Sequence, residues 1–134
     1  MLPVSIVGET ERVPLRCFLV DDNDAFLNAA SAGLQREGAI VAGVASTIAE
    51  ALRQIEVLRP DVILIDIRLG DEDGFDLARH LAQNGDGSGA TLIMISSTPE
   101  ADYAELIAES PVAGFLAKAE LSVRGIGRLH GRTP

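Results

Sequence analysis

"VILIDIRLGDEDG", residues 62–74, decides how this chain is read. Four consecutive apolar residues, Val62 to Ile65, run straight into Asp66. Continuous apolarity over strand length marks a strand covered on both faces, the usual state of a parallel sheet with helices on either side. A carboxylate at the point where such a strand surfaces is either a plain strand end meeting water or a group held for chemistry. The surrounding chain has to distinguish the two.

Outward from that strand, the sequence alternates strand and helix. "RCFLV" (16–20) is an apolar run of strand length, and "NDAFLNAASAGLQREG" (23–38) sets Phe26, Ala30, Gly33 and Leu34 at helical spacing with Gly38 as a stop. "AIVAGVA" (39–45) reads as a second strand. Thr47 and Glu50 form a T-x-x-E capping box before a helix carrying Ile48, Ala51, Leu52, Ile55 and Leu58, which Pro60 closes. After "DVILID" (61–66) and a polar loop, "GFDLARHLAQNG" (74–85) makes a helix on Leu77, Ala78 and Leu81. "GDGSG" (85–89) is a flexible connection and no phosphate loop, because no Gly-Lys-Ser/Thr follows. "TLIMIS" (91–96) is a fourth strand, Thr98 and Pro99 start a helix to about Ser110, and "VAGFLAK" (112–118) is a fifth strand.

In "ELSVRGIGRLHG" (120–131), Leu121, Val123, Ile126 and Leu129 keep no single clean stripe. Gly125 and Gly127 each cost about 0.8–1.0 kcal/mol against alanine inside a helix. The fifth helix is therefore expected to be short and weak, frayed until a partner or second subunit covers it. The pattern as a whole predicts a doubly wound α/β domain with a five-stranded parallel sheet. Residues 1–14 read as a loose leader, 15–122 as the domain, and 123–134 as a short C-terminal helix or tail.

Composition narrows the function. The chain has 134 residues, 47% of them apolar, with 11 Lys+Arg against 20 Asp+Glu and a net charge of −9. That balance argues against direct nucleic-acid binding, which needs clustered positive charge. Cys17 is the single cysteine, so no internal disulfide forms and a reducing, cytoplasmic setting is expected. No apolar run approaches the ~20 residues a membrane span needs. His80 falls at the edge of the third helix's apolar face and His130 in the tail, neither with a nucleophile near it in sequence, so a catalytic triad has no support. Arg124, Arg128 and Arg132 make a mildly basic C-terminus that reads as a solvated end.

In open parallel sheets ligands gather beyond the carboxyl ends of the strands. Strand one ends in Asp21-Asp22, strand three in Asp66, strand four in Ser96-Ser97 and strand five in Lys118. Each residue alone is ordinary: an acid before a helix favours its N-terminus, a serine in a turn bonds nearby backbone, and a lone lysine is solvated. Four of five strand ends carrying groups suited to one task is harder to explain as chance. Three clustered carboxylates repel one another unless a cation joins them, and oxygen donors without His or Cys favour Mg²⁺. A carboxylate so held is also a possible nucleophile, and a lysine and a hydroxyl suit the equatorial oxygens of a transferring phosphoryl group.

"LVDDN", "DIRLGDEDG", "IMISS" and "GFLAK", in that order and at these spacings, resemble the receiver domain of two-component response regulators over roughly residues 15–122. The resemblance implies a flavodoxin-like sheet of strand order 2-1-3-4-5, an order that comes with the family and not from the residues. It implies that Asp66 is the phosphoacceptor for a phosphohistidine on a sensor histidine kinase or phosphotransfer protein. Asp22 would bind Mg²⁺ directly, Asp21 largely through a metal-bound water, and the Arg68 backbone carbonyl would complete the protein's share with Asp66. Ser96 and Lys118 would contact the phosphoryl group, and Phe115 matches the switch aromatic. Gly74 matches the family's glycine. Gly70 and Ala119 stand where proline is usual, so the loop after Asp66 is expected to be looser and the turn after Lys118 need not be cis. Phe115 replaces the common tyrosine.

The leading reading is a stand-alone, chemotaxis-type receiver, not an enzyme in the turnover sense, which switches a surface for a downstream protein partner. A homodimer is left open. Two alternatives remain. One is a Mg²⁺-dependent phosphohydrolase with an aspartyl-phosphate intermediate, against which Arg68 counts because such enzymes want a second acid there. The other is a pseudo-receiver used only as an interaction surface, against which the complete set of Asp21, Asp22, Asp66, Ser96 and Lys118 counts.

Overall fold

The structure, a computed structural model, describes residues 14–84 and 89–131. Residues 1–13 of the expected leader, 85–88 of the glycine-rich connection and 132–134, with Arg132, lie outside the described residues. Strands β1 (Arg16–Val20), β2 (Ile40–Ala45), β3 (Val62–Asp66), β6 (Thr91–Ser96) and β7 (Gly114–Ala117) form one parallel sheet in the order β2-β1-β3-β6-β7. Counting only these five, the order is the expected 2-1-3-4-5.

Every residue of β3 is buried, as its unbroken apolar run requires. On one face of the sheet, Phe18, Val20, Ile63, Ile65 and Met94 pack with helices α2 (Ile48–Leu58) and α3 (Gly74–Asn84), α3 through Leu77, Ala78 and Leu81. On the other, Cys17, Leu19, Val62, Leu64, Ile93 and Ile95 pack with α1 (Asp24–Arg36) and α5 (Val123–His130). Side chains alternate along each strand, so one continuous apolar run supplies two cores. Cys17 lies fully buried in the second, where burial, then the charge of Asp61, pushes its thiol up to about 11 and keeps it inert.

The helix ends follow local chemistry. Asn23 caps α1 by accepting from the Phe26 N–H at 3.0 Å. Thr47 Oγ1 accepts from the Glu50 N–H at 3.2 Å, but the Glu50 carboxylate reaches back to the Ser46 N–H at 2.9 Å, one residue earlier than a standard capping box. Arg59 (φ 49°) ends α2 in the left-handed region just ahead of Pro60.

The loop after Asp66 is a paired turn: Arg68–Leu69 (β4) and Glu72–Asp73 (β5) pair antiparallel around Gly70-Asp71, with Gly70 at φ 61° supplying the backbone twist that a two-residue hairpin turn needs. Three expectations need correction. The helix expected from Thr98 begins later. Pro99 stays extended (φ −59°, ψ 147°), a 3₁₀ turn covers Glu100–Tyr103, and α4 spans only Ala104–Glu109. The last strand is Gly114–Ala117, shorter than 112–118. His130 is in no tail but on α5, its Nδ1 2.7 Å from Thr91 Oγ1 at the start of β6.

The fifth helix is short, as expected, but docked. Ser122 caps it, accepting from the Gly125 N–H at 3.0 Å, and the Val123 N–H donates to Glu37 Oε1 at 2.8 Å. Ile126 and Leu129, three apart, share the buried face. Burying each contributes about 1.5–3 kcal/mol, more than the cost of either glycine. Gly125 is itself part of that packing, because a Cβ there would stand 3.2 Å from Leu116 Cδ2.

Candidate functional site

All five chain-order strands end on one rim, and β1, β3 and β7 deliver its charged groups. Asp21 follows β1, its N–H bonded to the Ala45 carbonyl at 3.0 Å, which fixes the backbone as the strand ends. Its Oδ1 accepts from the Asn23 N–H at 2.9 Å, while the whole residue is fully buried. Asp22, one residue on, is exposed. Asp66 closes β3 at 7% exposure, and its Oδ1 accepts a long 3.4 Å bond from the Arg68 N–H. One carboxylate oxygen from each of Asp21, Asp22 and Asp66 lies within 4.8 Å of the others.

Lys118, the residue after β7, reaches back over this cluster. Its Nζ lies 2.6 Å from Asp21 Oδ2 and 3.2 Å from Asp66 Oδ2. The approach to Asp21 is close but poorly aligned, so buried Oδ2 has a counter-charge yet no hydrogen-bond partner. Burial, then the charge of Asp21, pushes the Asp66 carboxyl up to about 6, against the pull of the Lys118 charge, the Lys118 bond and the Arg68 N–H. For Lys118, burial works against the charge, but Asp21 and Asp66 outweigh it and its pKa rises. Lys118 thus keeps its charge, while Asp66 holds its proton more tightly than an exposed carboxylate does despite the lysine beside it.

The structure therefore brings Asp21, Asp22, Asp66 and Lys118 into one cluster. Ser96 ends β6, one residue beyond Ile95, the ladder partner of Asp66; it is buried, with its hydroxyl accepting from the Thr98 N–H at 2.9 Å. Phe115 sits half-buried on β7, packed with the α2–α3 core. Arg68 exposes its side chain on β4. No described peptide bond is cis, the one after Lys118 included.

Two further neighbours bear on the site, Phe26 with no functional signal in the sequence and Gly74 with one from the resemblance alone. Phe26, in the first turn of α1, places its ring centroid 4.5 Å from Lys118 Nζ; periodicity marks it only as a face residue. Gly74, at the start of α3, lies against the Asp66 backbone, where a Cβ would come within 2.0 Å of the Asp66 carbonyl oxygen. Only the family's glycine at that position signalled it.

A parallel 2-1-3-4-5 sheet with an acid cluster and a lysine on its carboxyl rim defines a flavodoxin-like doubly wound domain whose polar site lies where such sheets bind ligands. The family model for the response regulator receiver domain matches residues 17–125. The chain belongs to that family, and the Asp21, Asp22 and Asp66 cluster is typical of a receiver-domain acidic pocket and consistent with a divalent-metal site.

Among solved structures, it is similar to the receiver domain of the response regulator NarL from Mycobacterium tuberculosis: 26% identity, TM-score 0.77, 89% of this chain and 98% of that one. A CheY-like receiver from Methanospirillum hungatei gives 25% identity and TM-score 0.67 over 79% of this chain and 82% of that one. Among curated proteins, a protein-glutamate methylesterase/protein-glutamine glutaminase 2 of Koribacter versatilis is 37% identical over 54% of this chain but only 20% of its own length. The transcriptional regulatory protein TrcR of M. tuberculosis is 34% identical over 60% of this chain and 33% of its own. The match thus covers a fifth to a third of these longer relatives. No helix among the described residues is long and apolar enough to cross a membrane.

Proposed function

We propose that Asp66 accepts a phosphoryl group from a phosphohistidine on a sensor histidine kinase or phosphotransfer protein, and that the product switches a surface for a downstream protein. One observation carries this reading: a nearly buried carboxylate at the sheet's rim, held against both Asp21 and Lys118. In the transfer, an Asp66 oxygen attacks phosphorus as the P–N bond breaks, and the histidine ring, its other nitrogen protonated from solvent, leaves as neutral imidazole. Lys118 moves to a phosphoryl oxygen, and the Ser96 hydroxyl, released from Thr98, takes another. Phe115 then repacks behind Ser96.

The donor set fits Mg²⁺. It is all oxygen, and Asp21 Oδ2 is buried without a hydrogen bond. Asp22, Asp66 and the Arg68 carbonyl would hold the ion directly and Asp21 through a water. Bound there, it would neutralise charge on the phosphoryl oxygens. Titration of Asp22→Ala and Asp21→Ala ranks the two acids: Asp22→Ala is expected to lose more Mg²⁺ affinity, since it removes a coordination bond. Equal losses would overturn the assignment of direct and water-mediated ligands.

The phosphoacceptor is tested by incubating the protein with Mg²⁺ and acetyl phosphate. Intact-mass measurement should show a labile phosphoryl adduct on wild type and none on Asp66→Asn. An adduct that persists in the variant would place the acceptor elsewhere.

A further inference from the structure

The geometry points to Phe26 as a positioning residue for Lys118, holding its ammonium through the face of the aromatic ring; this rests on the phosphoacceptor reading and extends it. The Lys118 Nζ stands 4.5 Å from the Phe26 ring centroid, inside the ~6 Å range in which a ring's negative face attracts a cation. The anchors that α1 sinks into the core are Leu27 and Leu34, both buried. Phe26 is half-buried and lines a groove of about 320 Å³ with Ala29, Ala30, Gly33, Leu121 and Lys118 itself. Its ring thus faces the functional lysine at the rim.

A lysine needs such a guide. Fixing its flexible stem costs up to about 2 kcal/mol of rotamer entropy. Asp21 and Asp66 attract Nζ, but both change role in the reaction. On phosphorylation Asp66 would become an acyl phosphate, and Asp21 would share its charge with any bound cation. The ring attracts the ammonium from the α1 side and takes no part in the reaction itself. A half-buried phenylalanine on an amphipathic helix is ordinarily a packing residue, and the two roles differ in what leucine can replace. Leucine restores apolar packing and removes the π face. Tryptophan supplies a stronger face, and the adjoining groove leaves space for it.

The test compares the full chain as wild type, Phe26→Leu and Phe26→Trp. With Mg²⁺ and varied acetyl phosphate, Phe26→Leu is expected to lower the maximal phosphorylation rate about three- to tenfold, the size of a partly exposed cation–π contact. The half-saturating donor concentration should change little, because the ring touches no donor. Phe26→Trp should restore the rate. Independently, the Lys118 side-chain NMR signals should carry a ring-current shift in wild type that is lost in Phe26→Leu and regained in Phe26→Trp. A leucine variant with wild-type rate, or a tryptophan variant as slow as leucine, would overturn the proposal. If wild type forms no adduct, the phosphoacceptor reading falls, and the Lys118 signal alone decides the role of Phe26. An unmoved signal in Phe26→Leu then refutes it.

Discussion

Gly74→Ala is expected to cost the domain on the order of 3 kcal/mol or more, the upper range for overpacking a site that cannot yield. An alanine Cβ would stand 2.0 Å from the Asp66 carbonyl oxygen, and 3.0 Å from both the Asp66 carbonyl carbon and Ile65 Cγ2. No side-chain rotation relieves an overlap between a Cβ and backbone. Either α3 must lift from the sheet or the end of β3 must retreat. Both elements are tied: the Gly74 N–H donates to the Ile67 carbonyl at 2.8 Å, and Phe75, Leu77, Ala78 and Leu81 bury α3 against the core. The same displacement moves Asp66 away from Asp21 and Lys118, so phosphorylation should fall along with stability. Gly127→Ala is the control. A Cβ there meets nothing within 4 Å, and alanine inside a helix gains up to about 0.8–1.0 kcal/mol over glycine. Chemical denaturation should therefore move the two midpoints in opposite directions. A Gly74→Ala protein as stable as wild type would show that β3 and α3 are not held at this distance.

Much of this was legible in the chain. β3 and β6 announced themselves by unbroken apolar runs, and the helices of residues 23–38, 48–58 and 74–85 by periodicity, because burial on a sheet face or helix stripe leaves a repeating mark. The rim residues were legible for a different reason: Asp21, Asp66 and Lys118 each interrupt an apolar run at its carboxyl end. What stayed hidden depends on contacts between distant segments. Leu121, Val123, Ile126 and Leu129 make no clean stripe because Leu121 precedes α5, and Ile126 and Leu129 do the burying. His130 read as tail because its partner, Thr91, is 39 residues away. The late start of α4 follows from the extended backbone at Pro99, a conformation as open to proline as the first helical turn. Gly74 and Phe26 act through contacts with Asp66 and Lys118 that no periodicity encodes.

Asp66→Asn is expected to stabilise the metal-free protein at neutral pH while abolishing its chemistry. In the folded protein, burial and then the charge of Asp21 lift the Asp66 pKa from 3.8 to about 6. The folded state therefore holds this proton more tightly than the unfolded chain does. The stability it contributes is complete below about pH 3.8, falls as the pH rises, and is gone above about pH 6. At about 1.36 kcal/mol per pKa unit, the loss is on the order of 3 kcal/mol. Lys118 adds no slope here, since its pKa is raised above 10.5 and its charge is full throughout. Asparagine cannot ionise, keeps an oxygen for the Lys118 ammonium, and leaves Asp21 as its counter-ion. In EDTA, thermal melts from pH 4 to 8 should show the variant gaining on wild type as the pH rises, with most of the change between pH 4 and 6.5. Mg²⁺ should shrink that gap at pH 7 by stabilising wild type more, because the variant lacks one carboxylate ligand. A wild type more stable than Asp66→Asn at pH 7 without metal would mean that Lys118 more than offsets the burial and repulsion of Asp66. The acceptor would then be a satisfied ion pair. The expected result makes it instead a strained carboxylate, for which a metal ion or a phosphoryl group relieves the repulsion.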